Sequence, residues 1–250
     1  ELHVVVGAAK SGKSSFLAGI VGLVRCSAGE VTVHGRVAYI TCDPFMLHAS
    51  IRENIGFGQP YEAKRYLRAL KASHLKCDWP SLPQGDQTIV TSDRGVSLTA
   101  SQRTRVALAR SVYQNADVYV FDDILSTMDR AVTKKIFKQC MQTALKDKIV
   151  IMVTQSLTFA KRATNVVVLA RGTITEAGNF KSLMANKKWG LLPELIHSKS
   201  TKISVKAGCK LAVTEVESSD EAEIGSDGDE DVLLRAKLAE FAPVIGENTP

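Results

Sequence analysis

No stretch of about 18 apolar residues occurs in the 250-residue chain, so no segment reads as a membrane-spanning helix, and no charged-then-apolar leader marks a signal peptide. Cysteines are few and unpaired: Cys26, Cys42, Cys77, Cys140 and Cys209 are odd in number and form no C-x-x-C, which argues against zinc-binding or dithiol chemistry and fits a reducing compartment. Aromatic residues make up only 6% of the chain, and no run of Lys and Arg is interleaved with them, which argues against a nucleic-acid-binding face. Acidic charge is scarce except in one place. Residues 215–231 carry nine acids and no base, so the rest of the chain sets 32 basic residues against 26 − 9 = 17 acidic ones. The chain opens on Glu1 directly before an apolar run, the look of a piece cut from something longer.

What is present supports a sizeable core, since 45% of residues are hydrophobic. Leu2 to Val6 reads as a strand buried on both faces, and the segment Ser15 to Val24 as a helix. Between them stands Gly7-Ala8-Ala9-Lys10-Ser11-Gly12-Lys13-Ser14. Two glycines, a lysine and a hydroxyl between strand and helix let successive N–H groups and the positive helix N-terminus converge on phosphate. In this reading Lys13 reaches the β- and γ-phosphates of a nucleotide, the Ser14 hydroxyl ligates Mg²⁺, and Ser15 continues the cradle.

Further along, the spacing predicts two short strands, Glu30 to His34 and Val37 to Ile40, joined by a turn at Gly35. Ser50 and Glu53 form a candidate capping box. An amphipathic helix follows from Tyr61 to Leu75, carrying Tyr66, Leu67 and Leu70 on its apolar face, then irregular chain from Cys77 to Gln87. A helix is expected from Arg103 to Tyr113. Val118 to Phe121 reads as a strand ending in Asp122 and Asp123, which a parallel sheet would deliver to its ligand-bearing edge. There Asp122 suits a metal-linked carboxylate and Asp123 a group near the attacking water. Helix 130–145, strand 149–153, helix 156–163, strand 166–170 and a return through Gly172 to Glu176 complete an alternation that argues for a mainly parallel α/β sheet covered on both faces. The chain beyond about residue 197 reads as an acidic, largely disordered linker, with a short amphipathic helix at 232–241.

The order of these motifs resembles the nucleotide-binding domain of an ABC transporter, from Glu1 to about Met184. Arg52-Glu53-Asn54-Ile55, the block Leu82 to Thr88, Asp93-Arg94-Gly95-Val96-Ser97-Leu98, and Phe121 to Asp129 look like the multidrug-resistance-associated (C) subfamily. Aspartate rather than glutamate at position 123, followed by an acidic tail, is similar to the first of the two such domains in that subfamily. The resemblance implies a P-loop NTPase core with an antiparallel β portion and a helical signature subdomain at about 59–114, within a domain spanning 1–197 followed by a linker over 198–250. It implies ATP and Mg²⁺ as ligands, a second nucleotide-binding domain paired head to tail, contact with membrane-spanning domains through Cys42 to Ile55, and a place on the cytosolic face of a membrane transporter. The implied transport function is ATP binding that drives or gates export.

Several positions depart from the family's pattern. Leu98-Thr99-Ala100-Ser101-Gln102 stands where the family has Leu-Ser-Gly-Gly-Gln, so Thr99 keeps a hydroxyl while Ala100 and Ser101 add Cβ atoms. Cys42 replaces the Mg²⁺-sensing glutamine and Gln155 the switch histidine, and Asp123 is one methylene short. These losses imply a site that holds ATP and hydrolyses it slowly or not at all. A competent ATPase half-site, or a P-loop ATPase unconnected with transport, are the alternatives. A GTPase is disfavoured, because Asn186-Lys187-Lys188-Trp189 lacks the aspartate of Asn-Lys-x-Asp.

Overall fold

The computed structural model describes residues 1–90, 97–185 and 192. Its centre is a six-stranded sheet built from β1 (Leu2–Gly7), β2 (Val37–Ile40), β3 (Val118–Asp122), β4 (Ile149–Val153), β5 (Asn165–Ala170) and β6 (Thr173–Gly178), in the order β2-β3-β4-β1-β5-β6. The first five strands run parallel and β6 returns antiparallel to β5. This is the mixed α/β architecture that the alternating pattern predicts. Because β1 lies between β4 and β5, both of its edges are paired. Val4 and Val6 enter the larger core on one side while Val5 enters a second core on the other, which is why the strand reads as an unbroken apolar run.

Helix α1 (Lys13–Ile20) closes the second core with Leu17 and Ile20. It stops four residues short of the expected end. Gly22 adopts φ 76°, and Leu23 N–H bonds back to the Ala18 carbonyl (2.9 Å), a left-handed terminus that leaves Leu23 and Val24 exposed. The segment 30–34 forms no strand. Its alternation is that of a strand, but only Val37–Ile40 joins the sheet, in parallel register with β3, and Val31 stays 41% exposed.

The larger core lies under α2 (Ile51–Gly56), α3 (Ala63–Ser73), α4 (Ala100–Gln114) and α5 (Arg130–Ile136). In α3, Tyr66, Ala69 and Leu70 are buried, whereas Leu67 points to solvent at 53% exposure; Ala69 takes the inward position assigned to it. Residues 75–81 and 85–87 form short 3-10 turns in the segment read as irregular. Helix α5 continues without a break into a π-helical stretch, Phe137–Ala144, where a single α-helix is expected. The wider turns bring Phe137, Cys140 and Met141 inward together. Phe137 stacks on Phe159 at 4.6 Å, and the stretch ends with Leu145 N–H on the Cys140 carbonyl (2.9 Å) and Arg68 Nη2 on the Ala144 carbonyl (2.5 Å). Two further short helices, α6 (Leu157–Ala160) and α7 (Phe180–Ala185), flank β5 and β6 in sequence. The expectations for 198–250 and for a helix at 232–241 lie outside the described residues, as do Asp93 to Val96.

The capping box at α2 forms as its sequence predicts: Ser50 Oγ accepts from Glu53 N–H (3.1 Å) while Glu53 Oε2 accepts from Ser50 N–H (2.8 Å). Asn54 anchors the preceding loop. Fully buried, it accepts from Leu47 N–H (2.7 Å) and Arg110 Nη2 (3.0 Å) and donates to the carbonyls of Leu47 and Ser50. Arg110 also donates to the Asn54 and Phe45 carbonyls and lies over the Phe57 ring, so α4 holds both flanks of α2; burial pushes its pKa down to about 10. Truncating Asn54 strands several buried polar groups at once, whereas truncating Ser50 removes one cap. In urea unfolding we expect Asn54→Ala to cost about 2–4 kcal/mol and Ser50→Ala about 1 kcal/mol, with Ser50→Ala the milder of the two.

Candidate functional site

The strand ends of β1, β3 and β4 share one edge of the sheet, and every sequence-predicted element of the site except the signature segment is built there. β1 ends in Gly7, and the chain turns immediately into the loop Ala8 to Gly12. Gly7 is there because nothing larger fits: a Cβ at this position would lie 2.3 Å from the Leu169 carbonyl oxygen and 2.5 Å from Ser11 Oγ. Lys10 takes φ 61° and Gly12 φ 89°, which folds the loop back towards α1. A Cβ on Gly12 would sit 3.2 Å from Gly172 Cα, and Gly172 N–H donates to the Ser11 carbonyl (3.2 Å). The β5–β6 turn at Arg171 and Gly172 therefore braces the loop from outside, a role the sequence reading missed; its only signal was a glycine in a hairpin.

Ala8, Ala9, Lys10, Ser14 and Ser15 are exposed, while Ser11 is buried. Lys13 opens α1, and its Nζ lies against the loop's own oxygens: the Ala8 carbonyl at 2.5 Å, the Gly7 carbonyl at 3.2 Å and Ser11 Oγ at 3.3 Å. Gly12 caps α1 without a side-chain acceptor, so the first N–H groups of the helix face the exposed side of the loop with no competing side chain from the cap.

Asp122 closes β3, opposite Val153 of β4, and is buried to 7% exposure. Asp123 follows in a left-handed conformation (φ 49°), a geometry that aspartate tolerates better than most residues. Its N–H bonds the Val153 carbonyl (3.2 Å), and Ser126 N–H and Oγ both donate to its carbonyl (3.2 and 2.7 Å). Burial raises the pKa of Asp123, and neighbouring Asp122 adds to this, while the nearby Lys13 ammonium opposes it. Gln155 stands two residues past the end of β4 and directs Nε2 at Asp123 Oδ2 (3.4 Å). Between them Thr154, which sequence reasoning overlooked, ties this loop to β1 through N–H to the Val5 carbonyl (3.2 Å) and accepts from Ser156 N–H on its Oγ1 (3.0 Å). Asp123, Ser126, Arg130, Thr154, Gln155 and Phe159 help to line a cleft of about 490 Å³.

Cys42 lies two residues past β2, next to β3 in the sheet, and is exposed. It and Asp122 are both close enough to Tyr39 to reinforce the raised pKa that burial gives that phenol. The adjoining Asp43 pairs with Arg103 of α4 at 3.1 Å, linking the Cys42 loop to the helix that follows the signature segment.

The signature residues are arranged differently. Leu98 is buried in the core, and Thr99 caps α4: its Oγ1 accepts from Gln102 N–H (3.2 Å), and Gln102 Oε1 accepts from Thr99 N–H (3.0 Å). Ala100 accepts on its carbonyl from Thr104 Oγ1 (2.9 Å), and Ser101 accepts from Arg105 on its carbonyl and hydroxyl. Arg105 in turn holds Asp78 (2.8 Å), whose pKa is raised by burial against the opposing guanidinium. These bonds run within α4 and to the 75–81 turn; Gln102 Nε2 adds Ser81 Oγ (3.1 Å). The start of α4 is thus a rigid, separately built surface.

The residues fit a nucleotide with its metal. The backbone at Gly7 and Gly12 is too tight for larger residues and leaves Ala8 to Lys10 exposed, Lys13 supplies the cation, and Ser14 with Asp122 offers the hard oxygen donors that Mg²⁺ takes. No described helix is long and apolar enough to cross a membrane.

Comparison with known proteins agrees with this geometry. A family model described as ABC transporter matches residues 1–126. The chain is 41% identical over 184 residues to ATP-binding cassette sub-family C member 4 of Homo sapiens, a match covering 74% of this chain and 14% of that protein. It is 41% identical over 189 residues to multidrug resistance protein mrp-7 of Caenorhabditis elegans, covering 75% of this chain and 12% of the other. The Probable multidrug resistance-associated protein lethal(2)03659 of Drosophila melanogaster is 37% identical over 191 residues, 76% of this chain and 14% of that one. The match thus takes in about one-eighth to one-seventh of the length of these relatives. The chain belongs to the ABC transporter family.

Proposed function

We propose that this chain is the first nucleotide-binding domain of an exporter of the multidrug-resistance-associated type, and that its own site holds Mg-ATP while hydrolysing it weakly or not at all. One observation supports the reading: Asp123 faces an amide, Gln155, rather than a group that can exchange a proton. Gly7, Gly12, Lys13, Ser14 and Asp122 keep the spacing and geometry of a phosphate and metal cradle. Opposite them, the carboxylate of Asp123 faces the amide of Gln155. An amide does not take up or release a proton at ordinary pH, so Gln155 can orient Asp123 but cannot share a proton with it. Asp123 is also short by a methylene, and a misplacement of about 1 Å can cost roughly a hundredfold in rate. Mg²⁺, when bound, neutralises charge on the phosphates; Ser14 and Asp122 are the residues that would hold it.

A second nucleotide-binding domain would pair head to tail with this one. The signature segment Leu98 to Gln102 would face that partner's nucleotide, completing the opposing site poorly because Ala100 and Ser101 replace small, close-approaching residues and the Thr99 hydroxyl is already engaged as a cap. The helical part at about 59–114 carries that surface. Cys42 to Ile55, fixed from behind by Arg110, would meet the membrane-spanning domains, and the exposed Phe45 within it would give that contact an apolar anchor. This sets the domain on the cytosolic face of a membrane.

A second reading, a competent ATPase half-site, has one observation in its favour. Burial raises the pKa of Asp123 towards the range useful for a general base. In that case hydrolysis would fall away on acidification at a pH above the ordinary aspartate value of about 3.9, and Gln155→His would change little.

Two outcomes test the proposal. Lys13→Ala should weaken Mg-ATP binding by roughly 10- to 100-fold, the loss of a charge-assisted contact worth about 1.5–3 kcal/mol, measured by fluorescent-nucleotide titration. In the assembled transporter, with the partner domain's own phosphate-loop lysine replaced, single-turnover hydrolysis should be barely detectable. It should rise by at least about tenfold in the Asp123→Glu, Gln155→His double variant. Fast turnover without these changes would contradict the holding role.

A further inference from the structure

A second polar cleft, of about 470 Å³, opens away from the phosphate loop between the start of α3, the end of α4 and the residue that leads into β2. Its ionisable lining is Arg36, Lys64, Arg65 and Arg68 against the single acid Glu62, a local excess of 4 − 1 = 3 positive charges. Among the described residues, none of the four cations is in an ion pair. Arg36 Nη2 donates to the Asn115 carbonyl (3.1 Å) and Arg68 Nη2 to the Ala144 carbonyl (2.5 Å), bonds that orient the guanidinium groups without neutralising them. Arg65 lies over the Tyr113 ring at 4.7 Å, and its Nε is buried with no hydrogen-bond partner. Arg65 is thus partly desolvated while Arg36 and Arg68 are exposed but oriented, and the guanidinium fork suits carboxylates.

We propose that this cleft receives the acidic segment 215–231 of the same chain. The charges complement one another: four clustered cations meet nine acids uninterrupted by any base. Reach is ample. Leu192 is buried in the larger core, and 215 − 192 = 23 residues extend to about 76 Å at 3.3 Å each. The cleft lies by β2 at one edge of the sheet and β6 is at the other, five strand spacings or about 24 Å away. A tether makes the encounter intramolecular, at an effective concentration of order millimolar, so modest contacts suffice to hold it. The segment is favoured over an anionic membrane surface because it is tethered to the same chain and because the cleft is concave. Arg65 lies on Tyr113 inside a concave cleft, where an extended peptide can enter and a flat headgroup layer cannot. Occupancy would cover the back of α3 and of α4, whose start carries the signature segment.

The test uses the full 250-residue chain. Zero-length carbodiimide coupling followed by peptide mapping should join Lys64 Nζ to carboxylates of 215–231. Yield should be independent of protein concentration and most of it should be lost at about 1 M salt, where the Debye length is about 3 Å. A second variant carries the nine acids as Asn and Gln, which leaves residues 1–197 untouched. In it, the rate of amine acetylation at Lys64 should rise several-fold relative to Lys181. An unchanged Lys64 rate, links that grow with protein concentration, or protection of Lys64 only when phosphatidylserine vesicles are added would each overturn the proposal.

Discussion

The backbone at Gly7 approaches the β5 chain so closely that a single Cβ would lie 2.3 Å from the Leu169 carbonyl oxygen, and the rest of the site depends on that approach. It lets the chain leave the centre of the sheet and reverse within five residues into α1. It also puts the Ser11 carbonyl where Gly172 of the β5–β6 turn can bond to it. The phosphate loop is therefore clamped between its own strand and the neighbouring hairpin. Lys13 and Ser14 are presented by a rigid frame rather than a free loop.

The same sheet geometry explains why binding and hydrolytic groups can part company. Strands β1, β3 and β4 are neighbours, so Gly7, Asp122 and Gln155 arrive at one edge from three separate stretches of sequence. Each stretch can change without disturbing the others, because the bonds that place them are backbone bonds: Asp123 N–H to the Val153 carbonyl, Thr154 N–H to the Val5 carbonyl. Side chains at 123 and 155 are then free to vary while the frame stays intact. On the proposed reading, this is how the nucleotide cradle is kept while the groups that activate water change.

Much of the fold was legible because burial on both faces writes itself as continuous apolar runs, as in Val4 to Val6 and Val118 to Phe121. The capping box at Ser50 and Glu53 was legible for a different reason: its chemistry is local to four residues. What escaped was set by partners distant in sequence. Residues 30–34 have a strand's alternation, yet β3 pairs with Val37–Ile40, and alternation cannot say which of two candidates a neighbour will accept. The π-helical turns at 137–144 depend on Phe159 and Arg68, and the bracing of the loop on Gly172; none of these leaves a mark in the local pattern. In the site, residue types and spacing were readable, but the facing of Gln155 and Asp123 across 32 residues required the fold.

The central claim is that this site retains its nucleotide as ATP. The direct measurement is the chemical identity of the nucleotide held at this domain in the assembled, actively cycling transporter, read by photo-crosslinking a radiolabelled ATP analogue and mapping the label to the Gly7 to Ser15 peptide. The account predicts that the γ-labelled form persists there through many cycles of the partner site. Recovery of only the diphosphate, with γ-label lost as fast as at the partner site, would contradict it.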